Sequence, residues 1–222
     1  MTRTHWAAIT AVVLAFLFAA AATVTSAQRD EEPAGIAVPA RDSADAGFAR
    51  DMSVHHQQAV EMSFVVRDRT QDEEVRRLAY DIANTQAGQR GTMMGWLDLW
   101  ALPKVESGTE PMAWMDMGDA GHSGHGGGHA EAGAAGDPLM PGMATAAEVK
   151  RLGTLGGKQA EVFFLQLMID HHKGGVHMAK GCVDKCTVAV ERDLAQGMVD
   201  AQESEIALMT ELLKKRGAAP RP

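Results

Sequence analysis

Several features are scarce or absent in this sequence of 222 residues, and each absence excludes a class of protein. Basic residues number 21 against 29 acidic ones, so the net charge of -8 argues against a nucleic-acid-binding surface. No segment of useful length alternates apolar and polar residues as a half-buried strand would. No arrangement of serine or cysteine with a base indicates nucleophilic hydrolysis. The sequence therefore predicts an all-α protein that is not a hydrolase.

The motif of di-iron proteins is also missing. Di-metal carboxylate bundles carry a Glu-x-x-His pair on each of two helices. In this chain no glutamate is followed by a histidine three positions later. This absence argues against oxygen-activating iron chemistry.

The first 27 residues are an exported or membrane-associated segment. An uncharged, weakly polar to apolar run extends from Trp6 to Val24, and small residues up to Ala27 suit signal-peptide cleavage. The run is longer than a typical signal-peptide core and barely long enough to span a bilayer. A cleaved signal peptide and an uncleaved N-terminal membrane anchor both remain open. Either one places the rest of the chain outside the cytoplasm.

The dominant feature of the sequence is an internal repeat, in which residues 48–62 align without a gap on residues 164–178, 116 positions later. Each copy has a methionine three positions before a histidine pair, and a second methionine closes the segment. The matched residues are Met52, His55, His56 and Met62 in the first copy and Met168, His171, His172 and Met178 in the second. Imidazole and thioether groups are metal ligands, so the repeat predicts a duplicated metal site.

The repeat also predicts the fold. Each copy reads as a two-helix unit that buries its apolar face poorly alone, and two such units make a four-helix bundle. Ser43 or Asp42 is expected to cap the first helix, and Thr145 starts a capping box on the third, which should run to about Gly181. The predicted organisation is a signal or anchor (1–27), a linker (28–43), a first helical hairpin (44–103), a connecting arm (104–143) and a second hairpin (144–219), with 44–219 as one domain.

Helical geometry decides which motif residues can cooperate. Positions i, i+3 and i+10 share a stripe, which groups each leading histidine with both methionines of its copy. The second histidine of each pair lies about 100 degrees around the helix and serves the bundle interface or a second ligand direction. The pair Gly174 and Gly175 suggests close approach of another segment rather than helix building. His177 shares a stripe with Asp170, as a surface pair or as part of the site.

Polar residues interrupt the apolar stripes of the second and fourth helices at the same level. A buried amide or carboxylate needs a partner, and a histidine N–H is a natural one. We therefore predict that these residues orient the histidines. The alternative is that they lie at the solvent-exposed edge of the apolar stripe. The four positions are Gln86, Gln89, Gln202 and Glu205.

The connecting arm is rich in glycine, methionine and histidine. Such a stretch is not expected to pack a core, and its composition is typical of a metal-chelating arm. A disordered linker with accidental histidines is the alternative. The candidate accessory ligands are Met112, Met115, Met117, His122, His125 and His129, followed by Met140 and Met143 in the sequence LMPGM.

The chain has two cysteines, Cys182 and Cys186. A disulfide is the default outside the cytoplasm, and closing so short a loop is worth about 2 kcal/mol in the chain-entropy model. A thiolate pair that binds a soft metal or acts as a redox couple is the alternative. The first copy has Val66 and Thr70 at the matching positions, so the repeated motif does not need the cysteines.

The two HH motifs with flanking methionines, the LMPGM segment and the closing AQGMVDAQESEIALM resemble the bacterial family known as domain of unknown function 305, over about residues 45–213. This family is similar to ferritin-like four-helix proteins and includes extracytoplasmic copper-binding members. The resemblance implies a metal-associated helical bundle at the repeated histidines and methionines. It implies no proven activity.

Together these observations predict a non-enzymatic, extracytoplasmic protein that sequesters, transfers or confers tolerance to copper as Cu(I) or Cu(II), with zinc as the alternative ion. A ferritin-like oxidase and a structural or partner-binding helical domain are the alternatives. The expected partners are a metal ion and, if the first segment is retained, a membrane. The sequence leaves open whether the protein forms a homo-oligomer.

Overall fold

The structure, a computed structural model, describes residues 38–116 and 138–222, which contain helices and no strand. Four long helices pair as two hairpins, which join through the first helix of each. The predicted all-α four-helix bundle is therefore confirmed. The helices are α1 (Ala44–Arg67), α2 (Glu73–Leu99), the short 3-10 helix η1 (Ala113–Asp116), α3 (Ala146–Leu152), α4 (Gly157–Lys185) and α5 (Ala189–Lys215).

The predicted helix boundaries follow the capping chemistry of the sequence. The Ser43 hydroxyl accepts the Ala46 N–H at 3.2 Å and starts α1. Thr145 and Glu148 form the expected capping box on α3. Gly217, at a φ of 67°, follows the end of α5, a backbone conformation that favours glycine.

The prediction of one continuous third helix from Thr145 to about Gly181 is wrong, because α3 and α4 are separate helices. Gly153 ends α3, and Gly157 begins α4 at a positive φ of 52°. The Gly157 N–H donates to the Arg69 carbonyl at 2.7 Å, which ties this turn to the turn between α1 and α2. The glycines of the sequence GTLGG allow a break that the apolar pattern alone does not reveal.

The sequence repeat is also a repeat of contacts. Near the start of α1, the Asp45 carboxylate accepts the N–H groups of Thr187 and Val188 at 2.8 and 2.7 Å, just before α5. The matching residue near the start of α4, Glu161, accepts the Thr70 hydroxyl at 2.5 Å, just before α2. Each hairpin thus places an acidic residue on the turn of the other.

The core consists of two apolar clusters with a polar layer between them. The first cluster contains Met62, Met168 and Met209, and the second contains Met52, Met93 and Met178. Along α1 the histidine pair lies between Met52 and Met62, and along α4 it lies between Met168 and Met178. The motif histidines therefore occupy a level of their own, which we call the histidine layer.

The start of the connecting arm packs on the bundle. Trp114 is buried in the second cluster, with Met112 and Met115 partly buried beside it. The Asp51 carboxylate accepts the Trp114 indole N–H at 3.0 Å and the Met112 N–H at 2.8 Å. A Cβ atom at Gly181 would clash with Met115, so this glycine admits η1 against α4.

The expectation that the whole arm packs no core is therefore wrong for its two ends. Met140 is buried in the second cluster and Met143 is partly buried against it, so both ends of the arm contribute apolar side chains to packing. The remaining accessory candidates, Met117, His122, His125 and His129, lie outside the described residues.

None of the helices within residues 38–116 and 138–222 is long and apolar enough to cross a membrane. The predicted signal or anchor segment, residues 1–27, lies outside the described residues.

Candidate metal site

The four motif histidines are completely buried, with side chains that solvent does not reach. His55 and His171 meet where α1 packs on α4, with ring centroids 3.8 Å apart and planes inclined by 36°. His56 and His172 lie further around their helices, at centroid distances of 6.5 and 6.3 Å from their chain neighbours. The two copies of the motif thus converge in the interior of the bundle.

The outer histidine of each pair hydrogen-bonds to the companion helix of its own hairpin. His56 Nε2 bonds Gln89 Oε1 at 2.9 Å, and His172 Nε2 bonds Glu205 Oε2 at 2.6 Å, each across 33 positions. Gln89 and Glu205 are two of the four polar residues that the sequence predicted to orient the histidines, and the other two, Gln86 and Gln202, do not bond a histidine. The partner is a neutral amide in the first copy and a carboxylate in the second, so the copies differ in charge.

The inner histidines, His55 and His171, bond to backbone carbonyls, and the two copies differ in which carbonyl they use. His171 Nε2 donates to the His55 carbonyl at 3.0 Å, whereas His55 Nε2 donates to the Pro141 carbonyl at 3.3 Å. Pro141 belongs to the LMPGM segment, which lies against α4. A Cβ atom at Gly174 would clash with the Pro141 carbonyl, so the predicted close approach is present.

The imidazoles of His55, His171 and His172 therefore present their Nδ1 atoms as free electron-pair donors. Carbonyl and carboxylate oxygens accept hydrogen bonds, so the Nε2 atoms that face them carry the proton. The same holds for His56 with the Gln89 amide oriented as in the structure, oxygen towards the ring. The four Nδ1 atoms are buried and have no hydrogen-bond partner. Buried polar atoms without a partner are rare, and they call for an ion, a water molecule or a reactive role.

Burial keeps the imidazoles of His55, His56 and His171 neutral. It lowers the pKa of His55 to about 4 and that of His56 to about 3. Burial and, next, the neighbouring His55 lower the pKa of His171 well below its ordinary value. At neutral pH the Nδ1 lone pairs of these three rings are consequently available, because no proton competes for them.

The motif methionines lie on both sides of the histidine layer. Met52 and Met178 belong to the second apolar cluster, and Met62 and Met168 belong to the first. All four are completely buried. Each side of the layer therefore has one thioether from each copy, instead of both thioethers of one copy.

The two predicted glutamines, Gln86 and Gln202, are buried at the same level. Both amide atoms of Gln86 and the Oε1 atom of Gln202 have no partner. A Cβ atom at Gly175 would contact the Gln202 amide, so this glycine admits the glutamine against α4. With the Nδ1 atoms, these amides make a buried polar layer whose hydrogen-bonding capacity is not used.

The structure does not bring every predicted ligand together. Within the described residues, no three histidine nitrogens lie within 4.8 Å of one another. His177 is exposed on α4, and its stripe neighbour Asp170 binds Arg221 at 2.7 Å. A site in the histidine layer would therefore need thioether ligands or a side-chain movement to reach three ligands.

Sequence reasoning missed two features of the molecule. One is the Pro141 carbonyl, for which the glycine of LMPGM was the available signal. The other is Glu191, a completely buried carboxyl group in the first turn of α5. Burial and, next, the Asp45 carboxylate raise the pKa of Glu191 to about 9. Its signal was a glutamate where the first copy has Val75.

A family model described as a domain of unknown function, DUF305, matches residues 45–213. The chain belongs to the DUF305 family. No curated protein matches the chain.

Solved structures show the same fold in two other members of the family and in CopM. A DUF305 protein of Streptomyces coelicolor, named as a candidate secreted protein, is 66% identical over 82% of this chain and 99% of its own, with a TM-score of 0.71. A DUF305 fragment from Deinococcus radiodurans is 31% identical over 78% of this chain and 96% of its own, with a TM-score of 0.59. CopM in its Cu(I)-bound form is 19% identical over 77% of this chain and 96% of its own, with a TM-score of 0.54.

Proposed function

We propose that this protein binds copper outside the cytoplasm, without catalysing a reaction, and sequesters or transfers the ion. The observation that carries the proposal is the set of four buried Nδ1 atoms that have no hydrogen-bond partner. They lie in a layer that has thioether groups on both sides. Imidazole and thioether ligands suit copper, and thioethers favour Cu(I) over zinc.

Relatives support the proposal. CopM has been crystallised with Cu(I), Cu(II) and silver, which are ions that imidazole and thioether ligands bind. The Streptomyces coelicolor relative is named as a candidate secreted protein, which agrees with export by the first 27 residues. We extend the metal class and the location to this chain because its own buried residues supply the matching ligands.

His55 and His171 are the central ligands that we assign, through Nδ1, with their buried methionines as thioether donors. The hydrogen bonds at Nε2 fix the ring orientation and leave the ligand nitrogen unprotonated. A bound copper ion would supply a soft cation that satisfies the unused lone pairs.

The test measures the affinity for Cu(I) of the purified wild-type protein and of its variants, by competition with a coloured Cu(I) chelator. The double variant His55→Ala and His171→Ala should lose tight binding, whereas His177→Ala removes an exposed histidine of α4 and should not. Deletion of residues 117–137 should reduce the number of bound ions and leave the tight site. Unchanged affinity in a double variant that remains helical by circular dichroism would overturn the proposal.

Methionine variants distinguish the two candidate ions. Met52→Leu and Met178→Leu nearly conserve volume, and such exchanges in a core cost less than about 1.5 kcal/mol. Each removes a thioether, so the affinity for Cu(I) should fall while that for Zn(II) stays constant. Equal affinity for Cu(I) in both variants would exclude these sulfur atoms as ligands.

A further inference from the structure

A second cluster of ligand-type side chains lies where α4 meets α5, at the end of the bundle. The structure joins Cys182, in the last turn of α4, to Cys186, the residue that follows α4, by a disulfide. Both sulfur atoms and one carboxyl oxygen of Glu191 lie within 4.8 Å of one another. Cys182 and Glu191 are completely buried, and Cys186 is 4% exposed.

The Glu191 carboxyl group is completely buried, and no N–H group donates to either of its oxygens. The polar group that it faces is the side chain of Asp45, whose Oδ1 atom already accepts the N–H groups of Thr187 and Val188. Two carboxyl groups buried side by side destabilise a fold, so packing does not account for Glu191.

The first copy of the repeat shows what the fold itself requires. At the positions that match Cys182, Cys186 and Glu191, it has Val66, Thr70 and Val75, and all three are buried. A hairpin of this type therefore folds with none of the three ligand-type side chains. The second copy departs from the repeat at three buried positions that meet in one place, and each departure introduces a metal-binding group.

From this coincidence we infer that reduction of the disulfide creates a second metal site, formed by Cys182, Cys186 and Glu191 and specific for a thiophilic cation such as Cu(I). The site is separate from the histidine layer and does not depend on the function proposed for that layer. Thiolates select soft ions such as Cu(I), so the two sulfur atoms would determine which ion binds, and the Glu191 oxygen would complete a three-coordinate site.

The redox step is a thiol–disulfide exchange. A dithiol reductant gives two electrons and two protons to the bridge, which becomes two thiols, and the dithiol becomes a disulfide. Metal binding then releases the two thiol protons and the proton of the buried Glu191 carboxyl group to solvent.

The experiment uses Cd(II) as a redox-inert soft probe, since cadmium thiolates absorb in the ultraviolet and cadmium imidazole complexes do not. The full chain is reduced with a phosphine, freed of reductant under nitrogen, and titrated beside the oxidised chain. We expect one further equivalent of Cd(II) in the reduced protein, with thiolate absorption. The double variant Cys182→Ser and Cys186→Ser should lose this equivalent.

Glu191→Val is the decisive variant, because valine is the residue that the first copy carries at this position. The oxidised variant should be at least as thermostable as the wild type. After reduction it should bind Cd(II) at least about tenfold more weakly. Loss of a residue that merely hydrogen-bonds a metal ligand already costs about tenfold, and Glu191 is proposed as a ligand itself. Equal affinity in this variant would overturn the three-ligand site.

Two further measurements test the inference. A reduced wild-type chain that remains helical, shows two titratable thiols and gains no Cd(II) would overturn it. The double variant His55→Ala and His171→Ala should keep the additional equivalent, so failure of the histidine layer to bind copper would leave this result intact.

Discussion

Replacement of Gly174 by alanine tests whether the LMPGM segment is fastened to α4 as the structure shows. Alanine in place of a mid-helix glycine stabilises a helix by about 1 kcal/mol. Against this, the new methyl group would clash with the Pro141 carbonyl, and overpacking of this kind costs about 1–3 kcal/mol. Displacement of Pro141 also breaks its hydrogen bond with His55, which is worth about 1 kcal/mol. The variant should therefore be destabilised by about 1–3 kcal/mol.

The assay is urea unfolding followed by circular dichroism, with Gly197→Ala as the matched control. Gly197 is an exposed mid-helix glycine of α5, and a Cβ atom there meets no other atom within 4 Å. This control should gain up to about 1 kcal/mol from helix propensity alone. If Gly174→Ala were stabilised as much as Gly197→Ala, the contact between the LMPGM segment and α4 would be refuted.

Three further changes have defined outcomes. The pKa values of about 4 for His55 and about 3 for His56, against 6.5 in the unfolded chain, mean that stability is complete above pH 6.5 and falls below it. Below pH 6.5 each of these histidines lowers the free energy of unfolding by about 1.4 kcal/mol per pH unit. Urea midpoints that stay constant from pH 7 to pH 4.5 would contradict this. Ser43→Ala removes the cap of α1 and should cost about 1 kcal/mol in the same assay, whereas an unchanged midpoint would exclude the cap. Asp45→Asn weakens the hydrogen bonds to the N–H groups before α5 and should cost about 2 kcal/mol, so a neutral result would argue against that anchor.

The repeat made the architecture and the histidine layer predictable from the sequence. The constant offset between the two copies shows which positions correspond, and helical geometry then shows which residues share a face of a helix. This reasoning named Gln89 and Glu205 among four candidates to orient the histidines, and the structure pairs them with His56 and His172. Both are contacts within one hairpin, where a short turn fixes the register of the two helices.

Several of the contacts that escaped prediction are made by segments outside the repeat. Pro141 reaches His55 from 86 positions away, and no periodic pattern specifies where a loop carbonyl lies. Trp114 and Met115 pack on the bundle from a stretch whose composition resembles a linker. Such contacts depend on small residues in the helices, here Gly174 and Gly181, which the sequence shows without naming the segment that approaches them.

The differences between the two copies also point to chemistry, because the fold does not require a feature that one copy lacks. A bundle of two equivalent hairpins gains no stability from a second buried carboxyl group at Glu191, where the other hairpin has Val75. The same reasoning applies to Glu205, whose carboxylate replaces the amide of Gln89 beside a buried histidine. A carboxylate partner raises the basicity of the imidazole that it faces, so His172 should be a stronger ligand than His56. The repeat thus supplies a symmetric scaffold, and its buried asymmetries add ligand-type groups to the motif that both copies share.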